Sequence, residues 1–308
     1  MSRVPDPEMQ KIGDGVYAYV QPDGGWMLNN TGVVVAEDGG HVLVDTTSTE
    51  ARNRALLAAV DRLHSGPPQA LVNTHHHGDH TFGNWLMPAE TPIMGHLLCR
   101  EDLVHSGLIA AQVLTGPDYG HIELRPPTVT FADTLTLHLA DRQLDLRHVG
   151  PAHTRGDVVV WLPDSRVLFA GDVVFNGGQP LLLEGSLAGY SPALAAIRAL
   201  EPEVLVPGHG PVCRGDDIPR VLDDLTAYAS FVDALARDGH AAGRPPLEVA
   251  KATDLAIFAD WQEGERLVAN IHRAYSELAG EPLGSRLDLV TVWPDMMALR
   301  GGPIRSRA

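Results

Sequence analysis

Lysine is nearly missing: Lys11 and Lys251 are the two in 308 residues, arginine supplies the other cations, and the formal net charge is −16. A chain so acidic, without a basic run, argues against a nucleic-acid backbone or an anionic membrane surface as partner. The acidic residues are spread along the chain rather than gathered in a tail, as on a solvated surface. Cysteine is as scarce. Cys99 and Cys213 are far apart and form no CxxC pair, which argues against a disulfide framework and reads as two buried thiols in a reducing compartment. No stretch approaches the length of a membrane span, and the first residues, "MSRVPDPEMQ", contain no apolar leader segment, so a cytoplasmic protein is expected. The remaining composition, 44% hydrophobic and 20% charged, suits a globular chain with a sizeable core.

Runs of β-branched residues bounded by "PDGG" and "EDGG" predict strands over 16–20, 32–36 and 41–45. Helical spacing of apolar residues predicts a helix over 50–64 that ends before "SGPP". "QALVNT" and "PIMGH" read as buried strands, the second followed by a helical stretch over 97–114. Two hairpins are expected over 134–149 and 157–172, then a helix over 191–200, a strand "VLVPG", and helices over 216–238 and 261–279. The chain also echoes itself. "GVVVAEDGGHVLVDT" and "DVVVWLPDSRVLFAGD" each contain a valine triplet, a polar turn, a second apolar strand and a closing Asp. That pattern implies two similar β-rich halves packed sheet against sheet, with helices outside. No Pro- or Ser-rich linker divides them. The expected organisation is an αββα core over 1–215 with a helical C-terminal extension, 216–308, on the same domain.

Within that frame one segment stands out, "NTHHHGDHTFGN", residues 73–84. Alternate residues of an extended segment share a face, so His75 and His77 point together while His76 points away. Asp79 and His80 follow where the chain turns into a helix and face a second position. Imidazole and carboxylate suit a divalent metal of borderline softness, and the run reads as ligands for two ions. His153 in "VGPAHTRGDVVVW", Asp172 in "VLFAGDVVF" and His209 in "VLVPGHGPV" each end or follow an apolar strand, where a sheet rim would carry a site. Glycines flank His209 and allow close backbone approach. A carboxylate such as Asp172 has two oxygens and can bridge two cations.

With these motifs the chain, over residues 13–212, resembles the metallo-β-lactamase-fold hydrolases. The resemblance implies that His75, His77 and His153 hold one metal, that Asp79, His80 and His209 hold the other, and that Asp172 bridges them. It implies two Zn²⁺ ions, although the same ligands accept Mn or Fe. His76 falls at a variable position of the motif and is expected to face solvent or hydrogen-bond. The bridging Asp172 is similar to the glyoxalase II type of site rather than to that of true lactamases. His77 stands where the oxygen-reducing di-iron branch carries Glu, and too few residues separate Asp172 from His209 for the domain inserted in the nuclease branch.

A finer resemblance rests on "PDGGWMLNNTGVVV", "GHIELRPPTVTFADTLTLH", "VGPAHTRGDVVVWLPDSRVLFAGDVV", "LEPEVLVPGHGPV" and "ERLVANIHRAYSEL". These segments resemble second-ring cyclases of bacterial aromatic polyketide pathways, of the actinorhodin type. Such enzymes imply cyclase and thioesterase activity on a polyketide tethered to an acyl carrier protein. Zinc acidifies bound water toward neutrality and polarises a carbonyl, chemistry that serves thioester hydrolysis and aldol ring closure alike. Asp79 is the candidate catalytic acceptor of a substrate proton.

Trp26, Met27, Phe175, Asn176 and Tyr190 are the expected substrate-binding residues, an aromatic rim that suits a flat polyketide. Segment 97–121 stands open between a lid and plain scaffold, and the C-terminal helices between a pocket wall and a homodimer interface. His96 and His148 are expected to be structural. Docking of an acidic carrier protein would need a local basic patch, for which Arg142, Arg147, Arg214 and Arg220 are candidates. A general thioester or lactone hydrolase is the alternative function, and a non-enzymatic metal-binding protein a third.

Overall fold

Valine-rich runs dictate the architecture, because strands that bury both faces read as continuous apolar segments rather than alternating ones. A computed structural model describes residues 4–308. Its first sheet comprises β1 (Glu8–Gly13), β2 (Val16–Val20), β3 (Thr31–Val35), β4 (His41–Val44), β5 (Ala70–Val72), β6 (Ile93–His96) and β7 (Val129–Phe131), adjacent in that order. β1 to β4 are antiparallel; β5, β6 and β7 join in parallel. The second sheet comprises β8 (Thr134–Leu139), β9 (Arg142–His148), β10 (Val158–Leu162), β11 (Val167–Phe175), β12 (Val204–His209) and β13 (Cys213–Arg214), in the order β13-β12-β11-β10-β9-β8. Only the β11–β12 pair in it is parallel.

Strand alternation sends neighbouring residues into different layers. Val34, Val42 and Val44 meet Val158, Val160 and Phe169 between the sheets. Val33 and Leu43, one residue along, pack under Leu56 and Val60 of α1 (Glu50–Leu63). On the outer face of the second sheet, Val159, Trp161 and Leu168 pack against helices. These helices are α5 (Leu187–Ala199), α6 (Asp217–Ala241) and α8 (Arg266–Leu278). The echoed hairpins pair as expected, Val33 opposite Leu43 and Val160 opposite Phe169, one in each sheet. Gly32 is required here, because a Cβ would lie 2.4 Å from the Phe169 ring that fills the space between the sheets.

The shorter elements differ from the expectation in ways that have physical reasons. The stretch over 97–114 is two helices, α3 (Leu97–Ser106) and α4 (Ile109–Val113), broken where Gly107 takes φ +56°. Between β5 and β6, α2 (Gly78–Thr81) is a single turn. α5 starts at Leu187, capped by the Ser186 hydroxyl, four residues before the expected start at 191, so Pro192 lies in its interior rather than in its first turn. α8 begins at Arg266, five residues after Trp261. Two further α-helices, α7 (Pro246–Lys251) and α9 (Leu289–Arg300), two 3-10 turns (Asn84–Leu86 and Ala256–Phe258) and strand β1 complete the elements of the described residues. Among the described residues no helix is long and apolar enough to cross a membrane.

Candidate metal centre

β5 delivers the histidine run at the rim, and buried side chains pin it there. The Asp45 carboxylate, just past β4, accepts from the Thr74 backbone N–H and hydroxyl, both at 2.7 Å. Asn73 Nδ2 donates to the His80 carbonyl at 3.1 Å, and Thr81 Oγ1 donates to that of His77 at 2.9 Å. His77 caps α2, so Asp79 and His80 lie within a helical turn that faces back across the rim. His153 follows β9, Asp172 lies within β11, and His209 ends β12.

Three groups of donor atoms result: one, His76, His77 and Glu184, lies to the side, and the other two hold the expected ligands. His75, His77, His153 and Asp172 bring one atom each within 4.8 Å of one another, as do Asp79, His80 and His209. Asp172 touches both groups. Its Oδ2 lies 3.4 Å from His153 Nε2 and 3.3 Å from His209 Nε2, and its Oδ1 lies 3.1 Å from His80 Nε2. Gly208 makes this possible: a Cβ there would lie 1.9 Å from Asp172 Oδ1.

Each ring is aimed by its other nitrogen. His75 Nδ1 faces Thr74 Oγ1 at 3.0 Å, His80 Nδ1 faces Asp45 Oδ2 at 2.8 Å, and His209 Nδ1 faces the Gly24 carbonyl at 3.1 Å. His153 Nδ1 faces the Leu181 carbonyl. All four present Nε2 to the centre. His77 is reversed: Nε2 meets Glu184 Oε2 at 2.7 Å, and Nδ1 turns inward to 2.8 Å from His153 Nε2.

The electrostatics divide the ligands. His75, His153 and the two carboxylates are held in their metal-binding form. Against burial, Glu184 beside His77, and the carboxylates beside His80 and His209, hold those three rings toward the protonated form, so that a metal would displace protons on binding. Burial pushes His75 well below the usual imidazole range and takes His153 down to about 3. Burial works to lower His80 and His209 too, but Asp172 and its neighbouring carboxylates raise His80 well above that range and His209 to about 9. Burial would raise the acids, yet His209 and His80 hold Asp172 well below the carboxylate range, and His80 and His209 hold Asp79 at about 2.

Three inward atoms, His75 Nε2, His80 Nε2 and Asp172 Oδ1, are buried without a hydrogen-bond partner among the described residues. Orphaned buried polar atoms are costly and rare. Divalent cations at the two groups would satisfy all three, and the imidazole and carboxylate donors are the set such ions accept. The groups fit a binuclear site.

Two residues of the centre escaped the sequence reading. Asp45 closes the first of the echoed hairpins as Asp172 closes the second, so the repeat itself was its signal. Glu184 sits in the loop before α5, and nothing in its spacing marks it. It also corrects His76, whose ring is buried rather than solvent-facing, with Nε2 3.4 Å from Glu184 Oε2. His96 and His148 stack on each other at 3.8 Å, away from the centre, and bond to backbone groups.

A cavity of about 430 Å³ opens onto the two groups. Trp26, Met27 and Phe175 line it, as do Ile109, Val113 and Leu114 of the α4 region and Leu289 and Trp293 of α9. Phe175 stacks on His209 at 5.2 Å, and the Arg266 guanidinium lies 4.1 Å over Trp26. Asn176 and Tyr190 are not in its wall. Alternation turns Asn176 away from the Phe175 side, toward the Pro211 carbonyl at 2.9 Å. Tyr190 is fully buried under the second sheet, its hydroxyl donating to the Val173 carbonyl at 2.9 Å. Of the four arginines expected to form a basic patch, Arg142 pairs with Asp164, Arg147 with Asp145 and Arg220 with Asp217, at 2.7 to 2.9 Å.

Comparison with known proteins agrees with this geometry. A family model described as the metallo-beta-lactamase superfamily matches residues 24–209. A linear primary-alkylsulfatase of Pseudomonas sp. is 26% identical over 233 residues, covering 61% of this chain and 44% of its own length. A hydroxyacylglutathione hydrolase of Rhodospirillum rubrum is 33% identical over 180 residues, 57% of this chain and 61% of its own. A metallo-beta-lactamase type 2 of Pseudomonas aeruginosa is 27% identical over 192 residues, 61% of this chain and 70% of its own. The match thus spans less than two thirds of the first two relatives. The solved structure of the DIM-1 metallo-beta-lactamase superposes with a TM-score of 0.58 at 22% identity, over 74% of this chain and 99% of that one, a likeness of fold.

Proposed function

The chain belongs to the metallo-beta-lactamase superfamily, and from that membership we propose a binuclear metal-dependent enzyme that acts on an aromatic polyketide intermediate. Its reaction is intramolecular aldol closure of a later ring, with cleavage of the thioester to an acyl carrier protein as a second capacity. The observation that carries this reading is the cavity: aromatic and aliphatic side chains enclose the approach to the paired His/Asp groups, leaving few polar contacts for a peptide-like substrate.

Bound at these groups, two divalent ions, zinc by the family's habit, would supply Lewis-acid polarisation of a carbonyl oxygen and a water acidified toward neutrality. The chain's own residues do the rest. His75, His77, His153 and Asp172 would hold one ion, and Asp79, His80 and His209 the other, with Asp172 shared. Trp26, Phe175 and Trp293 present ring faces and edges to a flat substrate and exclude water around it. Asp79 lines the cavity and is ionised at neutral pH, so its carboxylate oxygen can accept the proton lost from the substrate CH₂. Depressed to about 2, it is a weak base. The CH₂ must therefore be acidified by the polarised neighbouring carbonyl before the transfer becomes favourable.

The alternative of thioester hydrolysis without ring closure draws support from the similarity to hydroxyacylglutathione hydrolases of several organisms. The mass of the product formed from a monocyclic polyketide on its carrier protein separates the two. Loss of one water with the tether intact means a cyclase. A free acid released without ring closure means a thioesterase, and the cyclase reading falls.

A further inference from the structure

Beside the main cavity lies a second one of about 220 Å³, sharing with it Ser106, Ile109, Leu183, Glu184 and Leu289. Its wall is of a different kind, for Arg155 and Arg286 both face it. Both guanidiniums are organised by one buried carboxylate. Asp102 accepts from Arg155 Nε at 3.0 Å, from Arg155 Nη2, and from Arg286 Nη2 at 3.0 Å. Nη1 of Arg155, and Nε and Nη1 of Arg286, are left without a hydrogen-bond partner among the described residues. Gly284 packs on the Arg155 stem, where a Cβ would lie 2.7 Å from Cγ, so this guanidinium is held rather than trailing in solvent.

The two cations share Asp102, the nearby Glu184 is turned to His76 and His77, and Glu101, 3.8 Å from Arg155 Nη2, is mostly in solvent, where its charge is screened, so unsatisfied guanidinium N–H groups are left facing the cavity. In a chain of net charge −16, a pair of guanidiniums facing a cavity is a selective feature. Guanidinium forks suit carboxylate and phosphate oxygens.

We infer that this annex binds an oxyanion at the far end of a ligand whose apolar body fills the main cavity. The inference rests on the main cavity being the substrate site. The oxyanion can come from the substrate, as a carboxylate end group, or from the phosphate of a carrier protein's pantetheine arm.

The test is binding to the metal-loaded full chain, read by quenching of tryptophan fluorescence, since Trp26 and Trp293 line the main cavity. One pair of probes is anthraquinone carboxylate and anthraquinone carboxamide; the other is phosphopantetheine and pantetheine. Arg286 is half exposed, so Arg286→Gln leaves the fold intact. The expected result is about tenfold tighter binding of at least one charged probe than of its neutral partner, lost in Arg286→Gln, the worth of one charge-assisted hydrogen bond. Preference within the first pair assigns the annex to the substrate's own end group, and within the second to the carrier arm. A carboxylate preference that persists in Arg286→Gln places the anion at the His/Asp groups and overturns the inference, while the proposed function stands. Equal binding within both pairs overturns it as well. If the anthraquinones do not bind at all, the reading of the main cavity falls and takes the annex with it.

Discussion

Asp45 and Asp172 grip one imidazole from opposite sides: Asp45 Oδ2 lies 2.8 Å from His80 Nδ1, and Asp172 Oδ1 lies 3.1 Å from His80 Nε2. The two acids close the echoed hairpins of the two sheets, so the internal repeat converges on a single ring between the halves. Asp172 sits on the inner side, where a metal would lie, and Asp45 on the outer side, where it fixes tautomer and orientation.

Asp45→Ala should therefore weaken metal binding although Asp45 reaches no metal position. The expected loss is about 10–100-fold in affinity, the usual effect of removing such an outer carboxylate. Competition with a chelator of known affinity measures it, and wild-type affinity in the variant would show that His80 needs no such support.

Gly208→Ala tests the close approach on the other side of the site. The added methyl would lie 1.9 Å from Asp172 Oδ1 and 2.7 to 2.8 Å from the Gly171 and Asp172 backbone, so the Asp172 carboxylate must swing away from His80 and His153 and the β11 backbone must shift with it. The variant should fold, retain all seven candidate ligands, and bind fewer than two metal equivalents by elemental analysis. Two equivalents would mean that Asp172 does not have to occupy its present position.

Asp157 supplies a pH signature outside the ligand set. Burial raises its carboxyl to about 6, against hydrogen bonds from the Thr154 backbone and side chain. The folded chain then binds a proton that the unfolded chain, with its ordinary carboxyl near 4, has released. Stability contributed by this group is full below about pH 4 and is lost as pH rises through about 6, roughly 3 kcal/mol in all. Denaturant melts of the wild type and Asp157→Asn across that window should differ by this slope whatever the variant's baseline; parallel curves would contradict it.

Tyr190→Phe distinguishes a core role from a substrate role. Removing the hydroxyl leaves the buried Val173 carbonyl without its donor, which costs about 1 kcal/mol and about 2 °C in Tm. Anthraquinone binding should be unchanged. A loss of ligand affinity at constant Tm would return Tyr190 to the cavity.

The parts of the site legible in the sequence are those whose chemistry contradicts their surroundings. A histidine run after an apolar strand, and His153, Asp172 and His209 at strand ends, stand out because buried apolar segments rarely terminate in bare ligands. The sheets were legible for the complementary reason, since Val33 and Val34 can both be apolar only if both faces are covered. Asp45 was visible as the end of a repeat but carried no motif. Glu184 could not be read, because its loop has no period and its partners, His76 and His77, lie more than 100 residues away. α9 was missed because Pro294 interrupts its pattern and its apolar residues face several ways, Val292 and Met296 inward and Val290 into solvent. Asn176 and Tyr190 were misplaced because proximity in sequence to Phe175 or to a sheet rim does not settle which face a side chain takes.

The central claim is that two groups of ligands share Asp172, and titration calorimetry of the chelator-stripped chain with zinc addresses it most directly. Two equivalents should bind to the wild type, and one or none to Asp172→Asn. A wild type that binds a single equivalent, or an Asp172→Asn chain that still binds two, would contradict the shared binuclear site.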